Sequence, residues 1–333
     1  MRPLYLVLGV VILVVVVVDI LWTTLWVDGG AGPLSSRLST WVWHGLRAVG
    51  GNRTKVLSLS GPIILVVTLV AWVGLLWAGW TLVFAGGESS LIDARSGGPL
   101  GWTDWAWYVA YTMFTDGNGD FTPNGGVWQM ASSLTTASGM LFVTLGVSYV
   151  LSILGAVADK RAFAKSVTGI GDRGEAFVRA GWDGEGFRDL DLPLNEISSD
   201  LGLLAEQHKS YPILHYYHSE DASDSSPLAV AVLDEALTVL EFGVPDDEMP
   251  NAALVKSARS STEDYLETLT AAFIQPADET PPPPALDRLR EADVPMVPDG
   301  QFDESLAGVD DRRRKLLAAV EADAVDWPPA DDE

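Results

Sequence analysis

Three long apolar runs dictate the solvent in which this chain folds: Pro3 to Trp26, Gly61 to Ala85 and Val127 to Val157. Each exceeds the roughly 20 residues with which a helix crosses about 30 Å of hydrocarbon. Lipid offers no water to a peptide group, so such a run must satisfy its own backbone as a helix. The first run is too long for a signal peptide and no small-residue cleavage pattern follows it, so it reads as a retained helix. The expected fold class is an all-α membrane protein with three transmembrane helices.

Orientation follows from the basic residues that flank the runs. Arg37, Arg47, Arg53 and Lys55 lie between the first two, and Lys160, Arg161 and Lys165 follow the third. Both stretches are expected in the cytoplasm, which leaves the amino terminus and the segment Gly86 to Gly126 outside. That segment holds one basic residue, Arg95, against five acids. Ten of the 13 tryptophans fall between Trp22 and Trp107, several near run ends, where indoles anchor at a membrane interface. Trp41 and Trp43 suggest a short amphipathic helix on the membrane surface. Asp19 sits inside the first run, where a carboxylate is costly unless paired or wetted. It reads either as a group near the interface or as a functional contact.

Charge divides the chain. Up to Val157 there are 6 Lys/Arg and 7 Asp/Glu; from Ala158 onward there are 15 and 38. The step marks a domain boundary. The expected division is 1–60, an N-terminal helix and basic loop; 61–157, the other two spans; and 158–333, an acidic cytoplasmic helical domain ending in a disordered tail. So acidic a surface repels nucleic acid and anionic lipid. It reads as the solvated surface of a protein adapted to a high-salt, halophile cytoplasm. With no cysteine, disulfides and thiolate metal sites are excluded.

Between the second and third runs lies FTDGNGDFTP, Phe114 to Pro123. As a calcium loop starting at Asp116 it would need Gly at the sixth place and Glu at the twelfth, which hold Phe121 and Val127. The flanks suggest another chemistry. Gly101 to Phe114 is a helix-sized segment, with Thr103 and Asp104 as candidate caps, that reaches only halfway through a bilayer. A short helix, a glycine-rich turn and a long helix between membrane spans make a re-entrant loop. Irregular backbone at that depth persists where it lines water or is buried in protein.

The run Thr112-Met113-Phe114-Thr115-Asp116-Gly117-Asn118-Gly119-Asp120 resembles the potassium-channel signature T-x-x-T-V-G-Y-G-D at its Thr, Gly and Asp places. The resemblance implies a homotetrameric pore-loop cation channel of prokaryotic type, with 61–157 as pore domain and potassium as the transported ion. In that family backbone carbonyls and a threonine hydroxyl replace the ion's hydration shell. The implied filter is Thr115, Asp116, Gly117, Asn118 and Gly119, with Asp120 at the outer mouth. Alternate left-handed backbone angles, which glycine tolerates, would turn successive carbonyls toward one axis. Gly139, at the spacing of the family's gating glycine, reads equally as a hinge or as a packing contact.

Asp116 and Asn118 replace the family's valine and tyrosine. Asp116 would be a nearly buried carboxylate unless it turns toward water. If the filter relaxes, rings of Asp116 and Asp120 would pass cations without distinguishing potassium from sodium, or bind calcium at the mouth. A non-conducting membrane scaffold or sensor on the same fold is the competing class.

Beyond Lys165 a glycine-rich connector leads to helical patterns at Pro193 to Lys209, Pro227 to Phe242 and Asn251 to Ile274, with Ser226 marking a helix start. Four prolines, Pro281 to Pro284, precede weaker patterns at Ala285 to Ala292 and Ser305 to Ala324, and the acidic end from Ala322 is expected to be disordered. His208, His215 and His218 read as core histidines or as metal or proton ligands. No nucleophile, base pair or phosphate loop argues for an enzyme, and no cofactor is expected.

Overall fold

The computed structural model describes residues 2–27, 30–50, 54–245, 248–272 and 274–328. Arg53, counted above with the basic loop, lies outside them. Two compact units emerge, one from Met1–Trp43 and Pro62–Ile153, the other from His44–Gly61 and Leu154–Glu333.

The first unit contains the three helices long and apolar enough to span a membrane. They are α1 (Pro3–Leu25), α4 (Ser60–Gly86) from Pro62 onward, and the first part of α6 (Gly126–Thr168); the short α3 (Thr54–Leu57), which precedes α4, falls in the second unit. Helices in lipid gain nothing by hiding apolar surface from one another, so close approach needs small residues. Glycine supplies it here: a Cβ on Gly9 of α1 would lie 2.7 Å from the Gly79 carbonyl oxygen of α4, and one on Gly86 would lie 2.6 Å from the Leu6 nitrogen. Trp72 of α4 reaches α6, its ring centroid 6.4 Å from Phe142 and 6.0 Å from Tyr149.

Helix α2 (Pro33–Gly50) carries Trp41 at 75% exposure. Its N-cap position is Gly32, which has no side chain to satisfy the first amides. Asp19 does this from α1, accepting from Leu34 N at 2.7 Å, Ser35 N at 3.2 Å and Ser35 Oγ at 2.5 Å. The carboxylate is fully buried.

Between α4 and α6 the chain forms strand β1 (Leu91–Asp93), helix α5 (Trp102–Met113) and strand β2 (Phe121–Pro123). The strands pair antiparallel, Asp93 opposite Phe121. This three-residue ribbon is the departure from the all-α expectation.

The second unit is built around α9 (Ser226–Phe242), which is buried at every residue from Ser226 to Leu240. The end of α6 joins α7 (Gly174–Ala180), α8 (Asp191–Ser210), α10 (Ala252–Ala272), α11 (Leu286–Arg290), α12 (Asp299–Ala307) and α13 (Asp310–Ala322) in one core around it. Helices α8 and α10 bury matching stripes: Leu194, Ile197, Leu201, Leu204 and Ala205 on one, Val255, Ala258, Thr262, Tyr265, Leu266 and Leu269 on the other. This is the spacing of a single helical face. Each fully buried aliphatic side chain contributes about 1.5–3 kcal/mol. Ser198 bonds Ser257 and Ser261 across the seam at 3.1 and 3.2 Å.

Three sequence expectations shift in detail. The cap of α9 is Ser225, whose side chain accepts from Leu228 N at 3.4 Å, and Ser226 is the first helical residue. The pattern from Ser305 to Ala324 is divided at Gly308 between α12 and α13. The chain expected to be disordered from Ala322 stays on the core: Asp323 is 3% exposed, and Val325 and Trp327 pack against the apolar cluster. Residues 329–333 lie outside the described set.

Candidate functional site

Helix α5 has 12 residues, about 18 Å at ~1.5 Å per residue. Asp104, at its third position, accepts from Gly101 N at 2.8 Å and closes the first turn. Thr103 lies in that turn beside it. The helix is held on both sides. On the α4 side, the Trp77 indole donates to the Ala106 carbonyl at 2.8 Å, and Phe84 packs edge-on against Tyr108 at 5.0 Å. Toward α6, Tyr108 OH donates to Ser132 Oγ at 2.6 Å, and Thr136 Oγ1 donates to the Thr112 carbonyl at 3.2 Å. Ser138 of α6 accepts from Trp80 at 2.9 Å. The hydroxyl-rich half of α6 is therefore tied to α4 and α5.

At the C-terminal end of α5 the backbone changes hand residue by residue. Thr115, Gly117 and Gly119 have φ of 63°, 57° and 78°, while Asp116 and Asn118 between them do not. Glycine adopts this region freely; for a β-branched threonine it is an outlier. The Asp116 amide donates to the Tyr111 carbonyl at 2.8 Å. Phe114 to Gly119 are exposed and Asp120 is half-buried. Among the described residues, apart from the chain neighbours, nothing lies within 4 Å of where a Cβ on Gly117 or Gly119 would stand. Asp116, expected to be nearly buried, is exposed within the single chain.

Asn118 does not turn back toward α5. Its amide donates to Asp120 Oδ2 at 3.1 Å, and its Oδ1 accepts from Asp120 N at 3.0 Å. Tyr111 braces the loop from α5, its hydroxyl donating to the Phe121 carbonyl at 3.2 Å. Below the loop, Met113, Phe114 and Thr115 face Gly139, Met140, Val143 and Thr144 across an open hollow of about 280 Å³. Gly139 has a packing reason to be glycine: a Cβ there would collide with the Met113 carbonyl oxygen and stand 2.8 Å from its carbon.

The structure thus gathers Thr115 to Asp120 into one loop, exposed up to Gly119 and half-buried at Asp120, with Gly139 beside its Thr115 end. Sequence reasoning missed two residues at this site. Arg95 pairs with Asp120 at 3.0 Å, and Tyr111 braces Phe121; the only sequence signal for Arg95 was its isolation among acids.

The histidines of the second unit form a separate group. His208, His215 and His218 line a small cavity with Lys160, Tyr265 and Asp323. Lys160 donates to the carbonyls of Tyr217 at 2.8 Å and Leu214 at 3.4 Å. His218 Nδ1 donates to Asp323 Oδ1 at 2.7 Å, and Ser225 Oγ to Asp323 Oδ2 at 2.5 Å. Burial pushes His208 down to about 3, and the Lys160 charge adds to it; burial, then neighbouring His218, pushes His215 down to about 3. Burial acts to raise the Asp323 carboxyl, but the His218 hydrogen bond and the Lys160 charge outweigh it and hold it below its ordinary value. Among the described residues no three His, Asp or Glu side chains converge so as to hold a metal ion.

No protein-family model matches the chain, and no solved structure matches it. A protein of Bacillus subtilis (strain 168), described as "Uncharacterized membrane protein YdjJ", is 43% identical over 324 residues, which covers 97% of this chain and 95% of the relative. Likeness of that extent, together with three membrane-length apolar helices, makes the chain a membrane protein of the family to which YdjJ belongs.

Proposed function

We propose that four copies of this chain form a passive cation channel, with Thr115 to Asp120 as its filter loop. The observation that carries this reading is the alternation of left-handed backbone at Thr115, Gly117 and Gly119 at the end of a helix half a bilayer long. Strain at a β-branched residue persists where the surroundings impose it, and it concentrates at functional sites. Successive carbonyls of such a loop turn to one side, where they can take the place of an ion's water. One loop cannot enclose a pore, so a cyclic homotetramer supplies four. Helix α4 is then the outer helix, α5 the re-entrant pore helix and α6 the pore-lining helix. The basic flanks put the amino terminus outside and the acidic second unit in the cytoplasm.

Potassium is the expected ion, from the resemblance of Thr112 to Asp120 to the potassium-channel signature at its Thr, Gly and Asp places. A second reading, conduction without selectivity, is favoured by one contact: Asn118 is bonded to Asp120 rather than to α5, so the side chain that would brace the filter open is spent elsewhere. Asp116 and Asp120, the latter offset by Arg95, then act as acidic rings.

The test is the reversal potential of purified protein in a planar bilayer, potassium on one side and sodium on the other, for wild type and Asp116→Val. A value near the potassium equilibrium potential supports the selective filter. A value near zero that shifts in the variant supports acidic rings. Absence of current across voltage, pH and calcium rejects the channel in favour of a membrane scaffold.

A further inference from the structure

We infer that Arg95 sets the charge of the pore's outer mouth by neutralising Asp120; this rests on the channel reading above. Arg95 Nη2 lies 3.0 Å from Asp120 Oδ2, and its guanidinium stands 6.0 Å from the centroid of the Phe121 ring. The placement is built into the ribbon. Asp93 is registered opposite Phe121, and the next residue, Ala94, donates its amide to the Asp120 carbonyl at 2.9 Å. Asp93 then turns the chain with its side chain, accepting from Arg95 N at 2.8 Å and Ser96 N at 3.1 Å. Two residues past the paired Asp93, the Arg95 side chain arrives beside the acid that precedes Phe121.

An exposed ion pair adds little to stability, and the Arg95 side chain is 64% exposed. Its consequence is the location of charge. Arg95 is the sole basic residue between Gly86 and Gly126, among five acids, so no other cation in the segment can replace it. In a tetramer the arrangement gives four Asp120 carboxylates at the mouth, each with a guanidinium at its side. An ion approaching from outside meets nearly balanced pairs instead of a bare acidic ring. Arg95 is therefore a positioning residue that limits how strongly the mouth concentrates cations. Asn118 shares the same carboxylate oxygen at 3.1 Å, so the pairing also bears on the filter's last turn.

The experiment is single-channel conductance of the reconstituted full chain in symmetric potassium chloride, for wild type, Arg95→Gln, Arg95→Lys and Asp120→Asn. At about 0.1 M salt, where charges act over ~10 Å, Arg95→Gln should raise conductance about twofold or more. At about 1 M, where the range is ~3 Å, the difference should vanish. Arg95→Lys should behave as wild type, and Asp120→Asn should not exceed it at either salt. Equal conductance of Arg95→Gln and wild type at low salt would overturn the inference. So would loss of current in both Arg95 variants, which would make the residue a brace rather than a charge. Silence of the wild type would reject the channel reading itself, an outcome separate from a conducting wild type with an indifferent Arg95.

Discussion

The indole N–H of Trp72 donates to Asp19 Oδ2 at 2.9 Å, and both side chains are buried. With the amides of Leu34 and Ser35 on its other oxygen, the Asp19 carboxylate joins α1, α2 and α4 at one point. Asp19→Ala strands these donors without partners, and an unmade buried hydrogen bond costs about 1–3 kcal/mol each. The expected result is a loss of about 3 kcal/mol or more in detergent unfolding, with Ser35→Ala losing about 1 kcal/mol. Amide exchange in the first turn of α2 should accelerate in both variants. Unchanged exchange there in Asp19→Ala would show that the carboxylate does not cap the helix.

Gly139 meets the Met113 carbonyl so closely that a methyl group has no room. Overpacking of this kind costs about 1–3 kcal/mol. Gly139→Ala should lower the thermal midpoint, whereas Gly146→Ala, whose nearest neighbour would be 3.7 Å away, should leave it nearly unchanged. Equal midpoints for the two variants would remove the packing account and leave a hinge as the reason for glycine.

Arg313 grips Glu235 with two hydrogen bonds, Nε to Oε1 at 2.7 Å and Nη2 to Oε2 at 3.1 Å, and also donates to the Pro282 carbonyl at 2.6 Å. Burial raises the Glu235 carboxyl, and Arg313 opposes that rise. Removing one partner from such a pair costs about 3–5 kcal/mol, while replacing both with apolar side chains is often nearly neutral. Arg313→Met should therefore be much less stable than Arg313→Met combined with Glu235→Leu. A double variant no more stable than the single one would show that the charges do not depend on each other.

His208 and His215 are held neutral in the folded chain, both near 3, whereas an unfolded histidine titrates near about 6.5. The unfolded state therefore binds more protons, and stability falls as pH falls. The contribution is complete above about pH 6.5 and is lost progressively toward about 3, at up to ~1.4 kcal/mol per pH unit for each histidine. Thermal midpoints of the full chain at pH 7.5, 6.5 and 5.5 should decline, and His208→Leu should flatten the decline. A variant as pH-sensitive as wild type would mean that His208 is not the buried neutral base.

The apolar spans were legible because lipid leaves a long hydrophobic run only one backbone solution. Helices α8, α9 and α10 were legible from the period of their apolar residues. The ribbon was not: strands of three residues such as Leu91–Asp93 carry too few positions for alternation to register. Nor was the pairing of Arg95 with Asp120, because it depends on a strand register that brings together residues 25 apart in the chain. Asp19 stood out as an anomaly within an apolar run, but its partners come from Leu34, Ser35 and Trp72, which no local pattern connects to it. The acidic end misled for a related reason: composition suggested disorder from Ala322, whereas Asp323 is held by His218 and Ser225, far upstream. At the loop, the glycine spacing of 117 and 119 was readable, but the left-handed Thr115 was not, since threonine does not advertise that conformation.

The buried helix α9 also sets an order on biosynthesis. Glu235 leaves the ribosome 78 residues before the arginine that neutralises it, and Ser225 leaves 98 residues before Asp323. Until Arg313 and Asp323 have been made, Glu235 and Ser225 lack their partners, although Arg259 is already there to pair with Asp234. The second unit closes late in translation, after the membrane helices have already been synthesised. A chain released before Arg313 leaves Glu235, buried on α9, without its bidentate partner.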